Sequence, residues 1–393
     1  MSEKILGIFD SNLNSNPFGG KSLRVINIFQ RLRQQYHLKY FPIISEGEII
    51  PQYIKETFEN EIYPIYLDKG GNPLSGRMKG LLSVQPGYNF AITNHKLYKN
   101  ISSQIEAQCI KHSISLIHIF DFYIASFFME LKKTYPVIWD IGDSFWLIYK
   151  RKNWFSRFLL NTSRVKNYEF EHIKIFDRTI FVGEEDFRLY PEKLKSKLTL
   201  IPLGVCEDFL NYFSTDEEIE NSIIYTGNMS FPPNIDAVLH FYFKIFPLVR
   251  RVIPDLKWFI VGTNPEKIMK IIKSDPNIII TGRVEDIRPY IARSKVYIAP
   301  IRQGGGMKNK LLEAMALGKT IVAYERAVEG FKQGYNIKIS SKPEIFALNI
   351  VDSLKESDRR NRVNENFIRE NYIWEMTAKK YQELYKSIEG NRA

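Results

Sequence analysis

The chain has 393 residues, which is too long for one ordinary hydrophobic core and predicts two domains. With 44% hydrophobic and 25% charged residues it has the composition of a globular protein, and no run approaches the ~18 apolar residues of a membrane span. Cys109 and Cys206 lie far apart and lack metal-ligand spacing, which argues against a disulfide framework and indicates a reducing, cytoplasmic setting.

The formal net charge of +11 is unevenly distributed. Residues 69–105 and 144–168 contain no acidic residue, and the second stretch includes the basic, aromatic segment Tyr149–Leu160. This mixture is typical of a helix at a membrane interface, although an amphipathic helix with its apolar face in the core has the same pattern. We expect the basic N-terminal domain to contact an anionic membrane surface, so that the protein is peripheral to the membrane, and we expect no nucleic-acid partner.

Strand and helix candidates alternate through the first half. Ile5–Phe9 is followed by a turn-rich loop that contains Gly19 and Gly20, and then by a helix from about Lys21 to Gln34. The later strand candidates are His37–Pro42, Ile62–Tyr66, Ser115–Ile119, Val137–Trp139, Thr179–Val182 and Thr199–Pro202, and the intervening helices are Asn94–Ile110 and Ser163–Ile175. Strands separated by helices predict right-handed βαβ units and a parallel sheet.

The second half repeats this pattern after a polar linker, Glu207–Asn221. Its strand candidates are Ser222–Thr226, Lys257–Val261, Asn277–Thr281, Val296–Ala299 and Thr320–Ala323, and its helices are Asn234–Val249, Glu266–Lys273, Ile287–Ser294, Lys308–Leu317 and Pro343–Leu354. Two further helices are expected in the charged tail, Glu356–Glu389. We predict an α/β protein with two doubly wound, Rossmann-like domains facing across a cleft, and a ligand at the carboxyl ends of their strands.

The segment from Pro300 to Gly318 contains the most informative motif. Three successive glycines, Gly304, Gly305 and Gly306, precede a helix start, where bare amide groups and the helix dipole favour an anion. Lys308 and Lys310 follow, and a carboxylate lies one turn later among apolar residues, where it needs a partner or a function. These features fit a nucleotide diphosphate, with phosphates at the loop and Glu313 on the ribose hydroxyls. We therefore predict a donor site that comprises Arg302, Gly304, Gly305, Gly306, Met307, Lys308, Asn309, Lys310 and Glu313.

Two other strand ends are candidate contacts for the same ligand. Gly227 permits a close approach and Asn228 offers an amide to a phosphate or sugar, although a tight turn capped by Asn228 is the alternative. Arg283 and Val284 follow the Asn277–Thr281 strand, where the backbone can contact a nucleobase edge. Gly19 and Gly20 complete the predicted donor-binding residues in the first domain, although a plain turn explains them equally well.

Acid/base chemistry has one candidate in the first half. Asp140 and Asp143 follow a buried strand, and we predict Asp143 to be the catalytic carboxylate, with a helix cap by Asp143-Ser144 as the alternative. His118 lies inside a strand and is expected to be a core histidine. Because the sequence has no His/Cys cluster, we predict no metal and no other cofactor.

The second half resembles family 4 of the retaining glycosyltransferases, which have the GT-B fold of two Rossmann-like domains. The resemblance covers about Ile201–Gly334 and rests on Asn228–Asp236, Gly282–Asp286, Gly304–Ala316 and Glu329–Phe331. Many members hold two glutamates eight positions apart; Glu313 matches the second, and Gly305 replaces the first, as in a subgroup with glycines and Arg/Lys-x-Lys before Leu-Glu-Ala-Met. Phe120 stands where members often have a histidine. The Arg and Lys that many members use on the diphosphate are also absent after the Gly227 strand.

The resemblance implies an acceptor-binding domain at 1–205, a nucleotide-sugar-binding domain at 206–370 and a C-terminal helix, 371–393, that crosses back to the first domain. It implies a retaining, metal-independent transfer from a UDP- or GDP-linked sugar to a lipid-linked or glycan acceptor in polysaccharide or glycoconjugate synthesis, with Lys308 and Lys310 as catalytic cations. The alternatives are a non-hydrolysing nucleotide-sugar epimerase on the same fold and a catalytically degenerate scaffold subunit.

Overall fold

A computed structural model of the protein describes residues 5–11, 20–45, 47–67, 95–151, 162–356 and 360–390. The chain divides into two compact units. The first comprises Met1–Pro202 and Thr377–Ala393, and the second comprises Leu203–Met376. The sequence placed these divisions after residues 205 and 370, so the observed unit boundaries differ by a few residues.

The described residues of the first unit contain a seven-stranded parallel sheet with the strand order β3-β2-β1-β4-β5-β6-β7. Its strands are β1 (Ile5–Asp10), β2 (His37–Ser45), β3 (Ile65–Leu67), β4 (Leu116–Ile119), β5 (Val137–Gly142), β6 (Arg178–Phe181) and β7 (Leu198–Leu200). The helices are α1 (Gly20–Leu32), α2 (Gln52–Phe58), α3 (His95–Lys111), α4 (Phe145–Lys150), α5 (Thr162–Ile175), α6 (Glu184–Leu189) and α7 (Glu192–Lys195), with 3₁₀ turns at Ala125–Phe128 and Leu131–Lys133.

The second unit contains a parallel sheet that, over the residues described there, has six strands in the order β10-β9-β8-β11-β12-β13. Its strands are β8 (Ile219–Thr226), β9 (Lys257–Val261), β10 (Ile278–Gly282), β11 (Ser294–Ala299), β12 (Thr320–Tyr324) and β13 (Lys338–Ser340). The helices that follow α7 are α8 (Glu207–Leu210), α9 (Pro232–His240), α10 (Phe246–Arg250), α11 (Glu266–Met269), α12 (Arg288–Arg293), α13 (Asn309–Ala316), α14 (Glu325–Val328), α15 (Pro343–Lys355), α16 (Arg362–Asn371) and α17 (Trp374–Gly390).

The predicted alternation of strands and helices is confirmed, and so is the parallel pairing in both units. Central strands such as β5 are buried along their whole length, because helices on both faces of a parallel sheet leave no solvated side. The short edge strand β13 and the helix α2 were not predicted. Short elements of this kind do not show a clear hydrophobic period.

The helix predicted over Asn234–Val249 is interrupted. It runs as α9, passes through a π-helical turn at Phe241–Ile245 and continues as α10. Pro247 accounts for the break, because it has no amide hydrogen to donate to the preceding turn. The expected linker Glu207–Asn221 likewise contains α8 and the beginning of β8.

A buried polar cluster attaches the end of α17 to the sheet of the first unit. The Arg24 guanidinium forms an ion pair with Asp140 of β5, and Tyr381 donates to the same carboxylate at 2.5 Å. His118 of β4 hydrogen-bonds Tyr385 at 2.7 Å. All five side chains are buried, so His118 is a core histidine as predicted.

Asp140 does not lie after the strand, as the sequence suggested, but within β5. Burial alone would raise its pKa, yet the Arg24 charge and the hydrogen bonds hold that pKa below the usual value. Asp140 is therefore a charged partner in the core of the first unit.

Candidate functional site

The candidate site lies at the carboxyl edge of the sheet in the second unit. The strand order reverses between β8 and β11, and this is the position at which open α/β sheets bind ligands. β8 ends at Thr226, directly before Gly227, and β11 ends at Ala299, shortly before the three glycines. The two segments selected from the sequence therefore meet at one sheet edge.

The glycine loop is closed by the side chain of Lys308. Gly304 and Gly306 have φ angles of 94° and 70°, a left-handed backbone that glycine adopts without strain. The Lys308 ammonium donates to the carbonyl oxygens of Gly305 and Gly306 at 2.5 and 2.6 Å. Helix α13 begins at the next residue, so Lys308 ties the glycine loop to the start of the helix.

Lys310 points in another direction, toward the end of β8. Its ammonium donates to the Tyr225 hydroxyl at 3.0 Å and to Asn234 Oδ1 at 2.8 Å. It also lies 4.2 Å from the centroid of the Tyr225 ring, a cation–π distance. The lysines are two positions apart in the chain, so they leave the helix start on different faces, as expected for this spacing.

Gly227 provides the space for this arrangement. A Cβ atom at Gly227 would lie 2.7 Å from Lys310 Nζ and 2.8 Å from Asn234 Nδ2, closer than real contacts allow. The glycine after β8 therefore admits a lysine ammonium in addition to any ligand that approaches the strand end.

Glu313 and Lys310 influence each other's ionisation. Burial lowers the pKa of Lys310 to about 7, an effect that the Glu313 charge opposes and the Lys308 charge reinforces. Burial raises the pKa of Glu313 to about 7, and the Lys310 charge opposes this rise. An anionic ligand would favour the ammonium form of Lys310, because an opposite charge stabilises the charged state.

The Glu313 carboxylate is partly buried and makes no hydrogen bond or ion pair with the residues that the structure describes. Its neighbours Leu311 and Leu312 are buried in the core. Asn309 is in a similar position, since its Oδ1 is buried without a hydrogen-bond partner in the described ranges. A carboxylate and an amide oxygen are thus left for a ligand with hydroxyl or N–H donors.

Met307 anchors the glycine loop to the segment after β12. It is buried, and a Cβ on Gly330 would lie 2.8 Å from its Cα atom. Two of the segments that carried the family resemblance, Gly304–Ala316 and Glu329–Phe331, are therefore packed directly against each other.

Three residues predicted to bind the nucleotide sugar contact residues outside the glycine loop or are exposed. Arg302 is exposed and forms a two-point ion pair with Asp236, at 2.6 and 3.2 Å. Asn228 Oδ1 accepts hydrogen bonds from Ser230 and Asn264, which fits the turn that was the alternative for this residue. Arg283 is exposed and makes no ion pair with any residue in the described ranges.

The strand end at β10 is followed by helix α12. The Asp286 carboxylate accepts from the Arg288 amide at 2.9 Å and pairs with its guanidinium. Val284, the neighbour of Arg283, is partly exposed. The structure therefore leaves this strand end accessible but does not assign a ligand to it.

In the first unit, Gly20 begins α1, and Gly19 lies outside the described residues. Asp143 directly follows β5, and the next residue, Ser144, caps α4 by accepting from the Leu147 amide at 3.2 Å. The capping role belongs to Ser144, and the catalytic role of Asp143 stays a prediction. Burial, reinforced by the Asp143 charge, raises the pKa of Asp186 to about 8.

Sequence reasoning missed the residues that hold Lys310. Tyr225 was treated as part of a buried strand, and Asn234 as the start of a helix. The available signal was the pair of prolines before Asn234, which begin a helix and leave a polar side chain facing its first turn. Within the described ranges, no group of three His, Cys, Asp or Glu side chains is placed to hold a metal ion.

Comparison with known proteins finds a family pattern in the second unit. Residues 220–356 match the family model described as glycosyl transferases group 1. An uncharacterized glycosyltransferase of Methanocaldococcus jannaschii is 32% identical over 138 residues, which cover 32% of this chain and 35% of that protein. The chain thus spans about a third of the length of that curated relative.

Solved structures match the whole chain at low identity. HepE of Anabaena, crystallised with UDP, has a TM-score of 0.69 at 12% identity, and the match covers 98% of this chain and 100% of that one. Sucrose-phosphate synthase of Thermosynechococcus elongatus has a TM-score of 0.71 at 14% identity, with 99% and 100% covered. The chain therefore has the GT-B fold, and its second unit carries the group 1 glycosyl transferase pattern over residues 220–356.

Proposed function

We propose that this chain is a retaining, metal-independent glycosyltransferase that moves a sugar from a nucleotide diphosphate to a lipid-linked or glycan acceptor. The observation that carries the proposal is the pair of lysines at the β8–β11 switch point. Lys308 closes the glycine loop and Lys310 lies at the end of β8, both within the segment that matches the glycosyl transferase model.

The chemistry requires charge stabilisation at the leaving group. The acceptor oxygen forms a bond to the anomeric carbon, the bond from that carbon to the phosphate oxygen breaks, and the hydroxyl proton leaves. For retention, the acceptor attacks from the side of the departing diphosphate, whose oxygen takes up the proton. Lys308, Lys310 and the loop amides stabilise the charge that develops on the diphosphate, which is an electrostatic form of catalysis.

The nucleotide is held at two places in the second unit. Glu313 accepts from the ribose hydroxyls, and the backbone near Arg283 and Val284 contacts the base. UDP is the first nucleotide to test, because HepE of Anabaena has been crystallised with UDP and with UDP-glucose. Metal independence follows in this proposal from the two lysines, which provide positive charge at the diphosphate.

Asp143 and the basic face of the first unit are assigned to the acceptor. Lys150 and Lys166 lie 5.4 and 5.2 Å from the Trp146 ring, a basic and aromatic surface of the kind found at membrane interfaces. Arg151 is paired with Glu185 at 2.5 Å, so Lys150 and Lys166 are the better candidates for anionic headgroups. No helix in the described ranges is long and apolar enough to cross a membrane.

The test of this function is transfer from UDP- and GDP-sugars in the presence of EDTA. Release of nucleotide that depends on added acceptor, with the anomeric configuration kept, supports the proposal. Lys310→Ala should reduce turnover at saturating donor about 100- to 1,000-fold, by analogy with the loss of one oxyanion donor. Epimerised sugar without acceptor would support the epimerase instead, and binding without turnover would support the scaffold.

Membrane contact is tested separately by flotation with vesicles that contain anionic lipid. Replacing Lys150 and Lys166 by glutamine should weaken binding, at about 1 kcal/mol for each charge near the surface. Lys295, which is paired with Glu220 in the second unit, provides the matched control substitution. Binding that is equal for all variants would contradict this part of the proposal.

A further inference from the structure

We propose that Tyr225 and Asn234 are positioning residues that hold the Lys310 ammonium at the end of β8, with one N–H donor left for a phosphate of the nucleotide. The inference rests on the proposed function, because it names the residues that prepare the same site. Neither residue belongs to the predicted donor-binding set.

The first argument is the closed hydrogen-bond circuit around the ammonium. The Tyr225 hydroxyl donates to Asn234 Oδ1 at 2.8 Å, and both oxygen atoms accept from Lys310. The amide nitrogen of Asn234 donates to the carbonyl oxygen of Asn228 at 2.8 Å, which fixes the orientation of the side chain. These hydrogen bonds hold the two acceptor oxygen atoms in place, one on β8 and the other on α9.

The second argument concerns the number of donors. A lysine ammonium has three N–H donors, and among the described residues two of them are used, by Tyr225 and Asn234. The Tyr225 ring covers another side of the ammonium at 4.2 Å. With those sides occupied, the third donor is available at the edge where β8 and the glycine loop meet.

The third argument is burial. Tyr225 is fully buried and Asn234 is 8% exposed, so water does not compete for these contacts. Tyr225 and Asn234 are already hydrogen-bonded to each other and to the Asn228 carbonyl, so their two oxygen atoms are held in place for the lysine to donate to. The circuit therefore selects one position for a side chain that has four rotatable bonds.

The charged groups that face Lys310 come from each neighbouring segment. Lys308 and Glu313 are its neighbours around α13, and Tyr225 faces it from β8. Asp236 lies further along α9 and is paired with Arg302. Because burial lowers the pKa of Lys310 to about 7, small changes in the two supporting oxygen atoms should move its titration through the accessible pH range.

The first experiment follows the Lys310 titration in the protein without ligand, by NMR of ¹³C-labelled lysine side chains, with the signal assigned by Lys310→Arg. Tyr225→Phe removes one acceptor and keeps the ring, so the midpoint should fall. Asn234→Asp adds a negative charge beside the ammonium, so the midpoint should rise by about one pH unit or more. Equal midpoints in wild type and both variants would overturn the inference.

The second experiment measures UDP binding by calorimetry between pH 5.5 and 9. Affinity should fall as pH rises through the Lys310 midpoint, and the fall should begin at lower pH in Tyr225→Phe and at higher pH in Asn234→Asp. At pH 7, Tyr225→Phe should bind UDP about tenfold more weakly than wild type, the size expected for a hydrogen bond to a charged group.

Tyr297→Phe is the matched control, because its hydroxyl is buried and bonded to Thr226 at 2.7 Å rather than to a lysine. If the Lys310 midpoints move as expected while the pH dependence of UDP binding does not, the circuit holds the lysine but the phosphate role is wrong. If wild type binds neither UDP nor GDP, the proposed function fails, and the positioning role toward phosphate fails with it.

Discussion

The alanine substitution of Gly227 gives the sharpest test of the site. The added Cβ would lie 2.7 Å from Lys310 Nζ and 2.8 Å from Asn234 Nδ2, both below the closest contacts that Cβ atoms make. The ammonium is the far end of a flexible side chain, so it can move away without unfolding the protein. We therefore expect Gly227→Ala to displace the cation and keep the fold.

The magnitude follows from the contacts that are lost. Lys310 donates two hydrogen bonds at the end of β8, and a hydrogen bond to a charged group contributes ~1.5–3 kcal/mol. A displaced ammonium recovers part of this free energy from water, so the net loss for an anionic ligand should be about the value of one such bond. At 1.4 kcal/mol per tenfold, UDP should bind about 10- to 100-fold more weakly.

The assay is calorimetric titration with UDP at pH 6.5, where most of Lys310 is protonated because its pKa is about 7. Gly390→Ala is the control, since a Cβ at that position meets no atom of the described residues within 4 Å. Urea unfolding should give Gly390→Ala a free energy close to wild type and should lower that of Gly227→Ala by about 1–3 kcal/mol, because the φ angle of Gly227 is 159°. If Gly227→Ala binds UDP within about twofold of the control, the ammonium is not part of the donor site and the reasoning is refuted.

The other predictions concern ionised groups in both units. Glu313→Gln should weaken UDP binding about tenfold but leave the binding of pyrophosphate, which has no ribose, unchanged. Equal losses of affinity for the two ligands in calorimetry would contradict the ribose assignment. Asp140→Asn should lower the free energy of unfolding by about 3–5 kcal/mol in urea, because Arg24 stays charged in the core; a loss below about 1 kcal/mol would show that the pair is dispensable. The raised pKa of Asp186, about 8, means that its carboxyl stabilises the fold below the unfolded pKa of ~3.9 and loses this contribution as pH rises toward 8. Asp186→Asn should therefore be more stable than wild type at pH 7 by about 2–4 kcal/mol and equal at pH 4; an advantage at both pH values would disprove the titration.

Much of the fold was predictable because each βαβ unit has a recognisable hydrophobic pattern in the local sequence. A buried parallel strand is an apolar run, and a helix that covers the sheet has a 3.6-residue period, as β9 and α15 illustrate. The glycine loop was predictable for the same reason, since three glycines, a helix start and two lysines are contiguous in the chain. The sequence could not give the strand order, because it depends on which strands pack side by side in the folded sheet.

The site itself divides in the same way. Local sequence determined that Lys308, Lys310 and Glu313 lie at one helix start, because they fall within six consecutive positions where the helix begins. The tertiary structure decided which groups those side chains meet: Lys310 contacts Tyr225, which is 85 positions away in the chain, and Arg302 pairs with Asp236 across 66 positions. Residues this far apart in the chain come into contact only when the strands assemble into the sheet. The polar partners of each charged side chain therefore depend on β8 and β11 being neighbours, and no local sequence pattern reveals them.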